Sequence, residues 1–271
     1  MKKFLKIKRK LPELLVEEGF FENLDIANRN IIAGNIVLNE KKVDKVGTII
    51  DISKPYELRL KNSVMKYVSR GGLKLEKAIE DFSIDFKNKI VLDVGASTGG
   101  FTDCSLKNGA KFVYAIDVGT NQLNWSLRNN KKVKSIEKMH IKNLTKDNID
   151  FQDIDIIVMD VSFISIKTVI PYLIKFINEN TDIIFLIKPQ FEVDNKYLEK
   201  GIVKSKEKRI KVIFDIISYA KEYGLLFQNI TLSPIKGAKG NVEYLVYFSK
   251  KTNSFSEKIL SEKIKSMEDT K

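Results

Sequence analysis

The run Ile90-Val91-Leu92-Asp93-Val94-Gly95-Ala96-Ser97-Thr98-Gly99-Gly100-Phe101-Thr102-Asp103 decides how this chain folds. An apolar strand runs into an acid, a glycine-rich turn and the start of a helix. A second apolar strand, Val113-Tyr114-Ala115-Ile116, then ends in Asp117. Working outward, Ile90–Val94, Phe112–Ile116, Val133–Ile136, Ile154–Met159, Ile183–Ile187 and Tyr244–Phe248 read as strands. Amphipathic patterns such as Ile166–Ile177 and Lys208–Tyr223 read as helices between them. Apolar strands alternating with helices predict an α/β fold with a mostly parallel sheet covered on both faces, and an antiparallel strand near its edge.

In such a sheet, ligands sit at the carboxyl ends of strands where the strand order reverses. Gly95, Gly99 and Gly100 let the backbone turn tightly beside a ligand. No Gly-Lys-Ser/Thr follows, so a P-loop is excluded. Asp93 would repel a pyrophosphate but suits an ammonium or sulfonium group. Asp117 is placed to accept from ribose hydroxyls. Adenosine joined to a cationic amino-acid tail describes S-adenosylmethionine. NAD is the competing reading, although the Gly-x-Gly-x-x-Gly spacing is absent.

Two further strands end in polar residues. Ile156-Ile157-Val158-Met159 runs into Asp160, and Phe185-Leu186-Ile187 runs into Lys188. A lysine at a buried strand end carries a desolvation cost and is rarely decorative. Glu243 opens the late strand, and Lys74 lies on a helix after Ser69-Arg70-Gly71-Gly72. Two amines and two carboxylates at one sheet edge suit removal of a poorly acidic hydroxyl proton. A free lysine has a pKa near 10.4, and a second cation with partial burial lowers such a value. Lys188 is therefore the candidate general base, Lys74 the like charge, and Asp160 and Glu243 the orienting groups.

The chain has 271 residues and a net charge of +12. Hydrophobic residues make up 43% and charged residues 30%, enough for a sizeable core, so wholesale disorder is excluded. Met1–Arg70 carries 15 Lys/Arg against 9 Asp/Glu. This excess predicts an anionic partner. Leu11, Leu14 and Leu15 on a short helix with Pro12, and a second helix capped by Asn23, precede a hairpin at Ile36–Val43 that turns on Glu40-Lys41-Lys42. The single cysteine, Cys104, allows no internal disulfide and predicts a reducing, cytoplasmic setting. The basic N-terminus lacks the apolar stretch of a signal peptide, and no run is long enough for a membrane span. His140 reads as a surface or adenine-edge residue. Trp125 and Phe101 read as core or ligand wall.

Tyr67-Val68-Ser69-Arg70-Gly71-Gly72-Leu73-Lys74-Leu75, the run Asp93–Asp103, Asp160-Val161-Ser162-Phe163-Ile164-Ser165, Lys188-Pro189-Gln190-Phe191-Glu192 and Gly240-Asn241-Val242-Glu243 together resemble the TlyA family. Its members are bacterial proteins labelled hemolysins that are rRNA 2′-O-methyltransferases. The resemblance implies a Rossmann-like, FtsJ-like methyltransferase domain over residues 68–249. It also implies an N-terminal α+β RNA-binding module of ribosomal-protein type over 1–60. The residues themselves read as a linker at 61–67 and, over 250–271, as a polar C-terminal segment without a core stripe, a peripheral helix or a loose tail. The resemblance implies S-adenosylmethionine as cofactor; no metal is expected. The substrate it implies is a cytidine ribose in rRNA of the small and, in some members, the large ribosomal subunit. Its catalytic tetrad falls on Lys74, Asp160, Lys188 and Glu243.

Cofactor contacts are expected from Asp93, Gly95, Ser97, Thr98, Gly99, Gly100, Phe101, Asp117, Val118, His140 and Asp160. RNA contacts are expected from Lys10, Arg29, Lys41, Lys42 and Arg70. The chain has Lys10-Leu11-Pro12 where the family usually shows Arg-Leu-Asp, Asn23-Leu24 for Ser-Arg, and His140 for asparagine. Two other classes remain to be weighed: a membrane-active cytolysin, and an RNA-binding assembly factor with a vestigial enzyme domain. The oligomeric state is not legible.

Overall fold

The computed structural model describes residues 8–39, 41–53, 56–60, 66–149, 153–252 and 257–269. The chain divides into two compact units, Met1–Lys66 and Tyr67–Lys271. Of the linker expected at 61–67, residues 61–65 lie outside the described residues.

In the N-terminal unit, strand β1 (Lys8–Lys10) leads into helices α1 (Leu11–Glu17) and α2 (Leu24–Ile32). Four short strands follow: β2 (Ile36–Leu38), β3 (Lys41–Val43), β4 (Ile49–Asp51) and β5 (Leu58–Leu60). Asn23 caps α2, its side-chain oxygen accepting from the Ile26 amide at 3.0 Å. Leu11, Leu14 and Leu15 bury against Ala27, Ile31 and Ile36. Strand β2 pairs with both β3 and β5, and β1 pairs with β4. Of the expected turn Glu40-Lys41-Lys42, Glu40 lies outside the described residues. Lys41 and Lys42 are strand residues opposite Leu38 and Val37. The β2 face is apolar, and pairing there leaves both lysines exposed.

The C-terminal unit contains α3 (Gly71–Phe82), β6 (Ile90–Val94), α4 (Gly100–Lys107), β7 (Phe112–Ile116), α5 (Trp125–Arg128) and β8 (Val133–Ile136). After these come β9 (Ile156–Met159), α6 (Ile166–Leu173), β10 (Asp182–Ile187), α7 (Lys206–Glu222), β11 (Leu226–Leu232), β12 (Tyr244–Ser249) and α8 (Glu257–Asp269). The seven strands form one sheet in the order β11-β12-β10-β9-β6-β7-β8. Strands β6 to β10 are parallel, and β12 runs against its neighbours. From β6 the chain winds outward through β7 and β8, then returns to place β9 on the other side of β6. That reversal is the switch point where such sheets bind ligands.

Side chains alternate between the two faces, as a period of two requires. Val91, Ile156, Val158, Ile184 and Leu186 meet α3 and α4, burying Leu75, Ala78 and Cys104. Leu92, Ile157, Phe185 and Ile187 meet α6, α7 and α8.

The structure corrects three sequence readings here. Strand β11 was not expected. Helix α6 stops at Leu173 and passes into a 3-10 turn. Of the two readings of the last residues, the helix holds and the lack of a core stripe does not, because α8 buries Leu260 and Ile264 in the main core. Glu268 on α8 pairs with Arg209 on α7 and also takes the Tyr244 hydroxyl of β12. Arg209 further donates to the carbonyls of Val203 (2.9 Å) and Lys204 (2.7 Å). Among the described residues no helix is long and apolar enough to cross a membrane.

Candidate active site

The site lies in the C-terminal unit, over the carboxyl ends of β6, β9 and β10. Gly95, after β6, takes φ +83°, and a Cβ there would stand 2.7 Å from the Asp160 carbonyl oxygen. Only glycine lets the β6 turn lie this close to the β9 loop. Gly100, which opens α4, is pressed in a similar way. A Cβ there would meet Ser69 Oγ at 2.3 Å and the Gly72 amide nitrogen at 2.8 Å. Asp103 ties the preceding segment down by accepting from the Val68 amide at 2.9 Å. The Ser69-Arg70-Gly71-Gly72 start of α3 is thereby held against the glycine turn. One turn into α3, Lys74 reaches the site.

Four charged groups meet there. Lys74 Nζ donates to Glu243 Oε2 at 2.6 Å and stands 3.9 Å from Asp160 Oδ2. Lys188 Nζ lies 2.5 Å from Asp160 Oδ1 and donates to Ser162 Oγ at 2.8 Å. The result is a continuous chain of alternating charge, Glu243–Lys74–Asp160–Lys188. Lys74 is 8% exposed and Glu243 2% exposed, so their pairing removes what would otherwise be isolated buried charges. Gln190 Nε2 adds a long contact of 3.4 Å to Glu243. Gly237 keeps room for that carboxylate, since a Cβ there would overlap Glu243 Oε1.

The loops after β9 and β10 interlock. Ser165 Oγ donates to Glu192 Oε2 at 2.6 Å, and the Ile166 amide donates to Oε1 at 2.8 Å. Burial raises the Glu192 pKa, against the lowering effect of those two bonds. The rings of Phe163 and Phe191 stand 5.0 Å apart. Phe163 takes φ +63° and is 90% exposed.

Two cavities flank Asp160. The first, about 380 Å³, is lined by Lys74, Lys188, Glu243 and Arg70, and by Thr98, Gly100 and Phe101 of the glycine turn. The second, about 320 Å³, lies over β7 and is lined by Asp117, Val118, Gln122, Met139, His140 and Ile141. Gly95, Ser97, Asp160, Ser162 and Phe163 line both. Asp117 accepts from the Ser97 amide and the Gly119 amide, each at 2.7 Å, one on each oxygen. A second lone pair on each oxygen remains for a ligand. His140 Nδ1 accepts from the Lys142 amide at 3.1 Å, which leaves Nε2 as the nitrogen bearing hydrogen.

Gly99 shapes the turn at φ +96° but lines neither cavity. Asp93 also lines neither. It is fully buried, accepts from Thr102 Oγ1 at 2.6 Å, and its other oxygen has no hydrogen-bond partner among the described residues. Burial pushes its pKa up to about 7, with Asp160 and Asp117 adding to the rise and the Thr102 bond opposing it. A carboxylate placed this way does not face a cationic ligand directly. Trp125, expected in the core or a ligand wall, is 78% exposed. Ser162, Gln190, Gln122 and Met139 were not singled out from the sequence. Ser162 stands two residues past a strand-end acid, which is the one signal available for it.

Of the basic residues in the N-terminal unit, Lys10, Arg29, Lys41 and Lys42 are all exposed. Arg29 pairs with Asp25 on its own helix at 3.3 Å.

A strand-end acid thus lies between two lysines beside a glycine turn, at the switch point of a mostly parallel sheet. The sequence matches the FtsJ-like methyltransferase family over residues 67–250. The chain belongs to that family, and its C-terminal unit is a methyltransferase. It is 44% identical to hemolysin A of Brachyspira hyodysenteriae, over 88% of this chain and 99% of the relative. It is 35% identical to the 16S/23S rRNA (cytidine-2′-O)-methyltransferase TlyA of Mycobacterium tuberculosis, over 88% and 89%. A solved Streptococcus thermophilus structure, described as a candidate hemolysin, superposes with a TM-score of 0.71 at 36% identity. That match covers 98% of this chain and all of the other.

Proposed function

We propose that this protein transfers a methyl group from S-adenosylmethionine to the 2′-hydroxyl of a cytidine in ribosomal RNA. The observation that carries the proposal is the bridge of Asp160 between Lys74 and Lys188 on the wall shared by two cavities. The residues present fit the cofactor. Asp117 offers free lone pairs at the strand end where ribose hydroxyls are read. Val118, Met139 and Ile141 give the second cavity apolar walls for an adenine, with His140 at its edge. Gly95, Ser97 and the following turn, through Thr98, Gly99, Gly100 and Phe101, leave room for the rest. S-adenosylmethionine, when bound, supplies an already activated methyl group.

The protein's task is then alignment and proton removal. Lys188, having shed a proton to solvent, receives the one that the ribose hydroxyl loses as its oxygen gains the methyl. Asp160 Oδ1 and Ser162 Oγ hold Nζ of Lys188 at the floor of the first cavity. Glu243 and Lys74 set Asp160 from behind. Arg70, exposed at the mouth, is placed for a phosphate of the RNA. Phe163 offers an open ring at the lip where a nucleobase leaving its stack would lie.

The N-terminal unit fits the role of RNA anchor. Lys10, Arg29, Lys41 and Lys42 are exposed and can reach backbone phosphates, Arg29 by exchanging its surface pair with Asp25 for one. The relative of M. tuberculosis is named for cytidine 2′-O-methylation of both 16S and 23S rRNA, and small-subunit rRNA is the first substrate to test. Action on ribosomes would put the protein in the cytoplasm. The test is mass-spectrometric mapping of ribose methylation in rRNA from cells with and without this protein. A 2′-O-methylcytidine present only in the first supports the proposal, and identical maps overturn it.

A further inference from the structure

The charge of the C-terminal unit is concentrated in one stretch. Residues 118–146 hold seven Lys/Arg and one Asp/Glu, a net of +6. The whole chain carries +12 and residues 1–70 carry +6. All other residues of the chain therefore sum to zero. This stretch runs from the end of β7 through α5 and the edge strand β8 to the turns beyond it.

Arg128 is used within the stretch, paired with Glu137 at 2.5 Å. Lys131, Lys132, Lys138, Lys142 and Lys146 are exposed, and none has an ion-pair partner among the described residues. Trp125 stands among them, 78% exposed. It is the only tryptophan of the chain. Its helix is fixed to the site: the Asn124 amide donates to the Thr98 carbonyl at 3.2 Å, and Leu123 and Leu127 close over Gly99. Gln122, Met139 and His140 of the same stretch line the second cavity.

We propose that Trp125 and Lys131, Lys132, Lys138, Lys142 and Lys146 form a second RNA-binding surface, where Trp125 stacks on an unpaired base and these lysines follow the flanking phosphates. A single rigid aromatic in a field of unpaired cations is what single-stranded RNA requires. The immediate neighbours of Trp125 favour RNA over a lipid surface. Asn121, Asn124, Ser126, Asn129 and Asn130 are polar, whereas membrane insertion needs a broad apolar face. The surface belongs to the enzyme body and not to the N-terminal unit, so it would hold the nucleotides next to the target. The inference rests on the RNA-methyltransferase reading.

Because Trp125 is the lone tryptophan, its emission reports on this surface alone. Deproteinised rRNA from cells lacking the protein is titrated into the full chain. Static quenching of the tryptophan, reversed by salt, is the expected result, with S-adenosylhomocysteine alone producing little change. Trp125→Ala should bind this rRNA about tenfold or more weakly, and Trp125→Phe should recover most of the loss. The double reversal Lys131→Glu/Lys132→Glu should flatten the log–log salt slope by about one to two, with cofactor affinity retained. If rRNA binds and is methylated with unchanged emission and unchanged affinity in these variants, the surface is wrong and the enzyme reading stands. If rRNA neither binds nor is methylated, both fail. A blue shift with phosphatidylglycerol vesicles and indifference to rRNA would assign the surface to a membrane instead.

Discussion

Lys188 Nζ lies 2.5 Å from Asp160 Oδ1 although the two residues leave different strands of the sheet. Strands β9 and β10 are parallel neighbours, with Phe185 opposite Met159. Each residue immediately follows the last residue of its strand, Met159 or Ile187, so both side chains reach the same edge. Lys74 arrives from a helix outside the sheet and Glu243 from the start of the antiparallel strand. The sheet's topology thus gathers four groups that are far apart in the chain.

Asp160→Asn keeps the shape of the bridge and removes its charge. Both amines then lose their common anchor, while Lys74 retains Glu243. Methyl transfer should fall by about a hundredfold or more, the scale of a misplaced reacting group. Cofactor affinity, measured by calorimetry, should change far less. Equal losses in both would show that Asp160 serves binding alone.

Gly95→Ala combines a positive φ with a Cβ 2.7 Å from the Asp160 carbonyl. Gly224→Ala has a similar φ, +75°, and open space around it. The second change should cost about 1 kcal/mol in urea unfolding, the conformational term alone. The first should cost at least about twice that and weaken cofactor binding, because the backbone of the β9 loop must shift. Equal costs would mean that the close approach is not needed.

The Arg209–Glu268 pair is buried and fastens α8 to α7 and β12. Glu268→Gln leaves an arginine without its counter-charge, and unfolding free energy should drop by about 3 kcal/mol. The double change Arg209→Met/Glu268→Leu should lie nearer the wild type than either single change does. If Glu268→Gln leaves the urea midpoint unmoved, α8 is not held in this way.

Asp93 has a folded pKa of about 7, raised from 3.8. The folded state therefore holds its proton more tightly than the unfolded state. Its contribution to stability is fully present below about pH 4 and is lost as pH rises toward 7. Asp93→Asn removes that loss. The variant's stability relative to wild type should climb between pH 4 and 7, by at most about 1.4 kcal/mol per pH unit. A difference independent of pH would place the ionisation elsewhere.

The features legible in the sequence were those written in one short stretch. Apolar runs closed by turn residues marked the parallel strands, and polar residues at their ends marked the tetrad. Asp117 and Asp160 sit one residue beyond their strands and face the cavities. Asp93 sits inside β6, and its neighbours Leu92 and Val94 take the other face, so the period of two turns it toward Thr102 of α4. The strand limits read from the sequence already set Asp93 inside β6 and Asp117 beyond β7, but the partner on the far face, Thr102, shows only once α4 is packed there. Strand β11 was hidden because a register shift between Phe227 and Asn229 breaks its alternation. Helix α8 was hidden because Leu260, Ile264 and Met267 are diluted by charged residues on its other faces. Trp125 reads as core by composition, but Leu123 and Leu127 bury in its place.

The most direct test of the central claim is single-turnover methyl transfer to ribosomal subunits isolated from cells lacking this protein, with Lys188→Ala compared with the wild type at saturating cofactor. The structure predicts a rate loss of about a hundredfold to ten-thousandfold at one mapped cytidine, the range of a lost general base, with cofactor binding preserved. A variant that methylates the same ribose at the wild-type rate would contradict the assignment of Lys188 and the chemistry built on it.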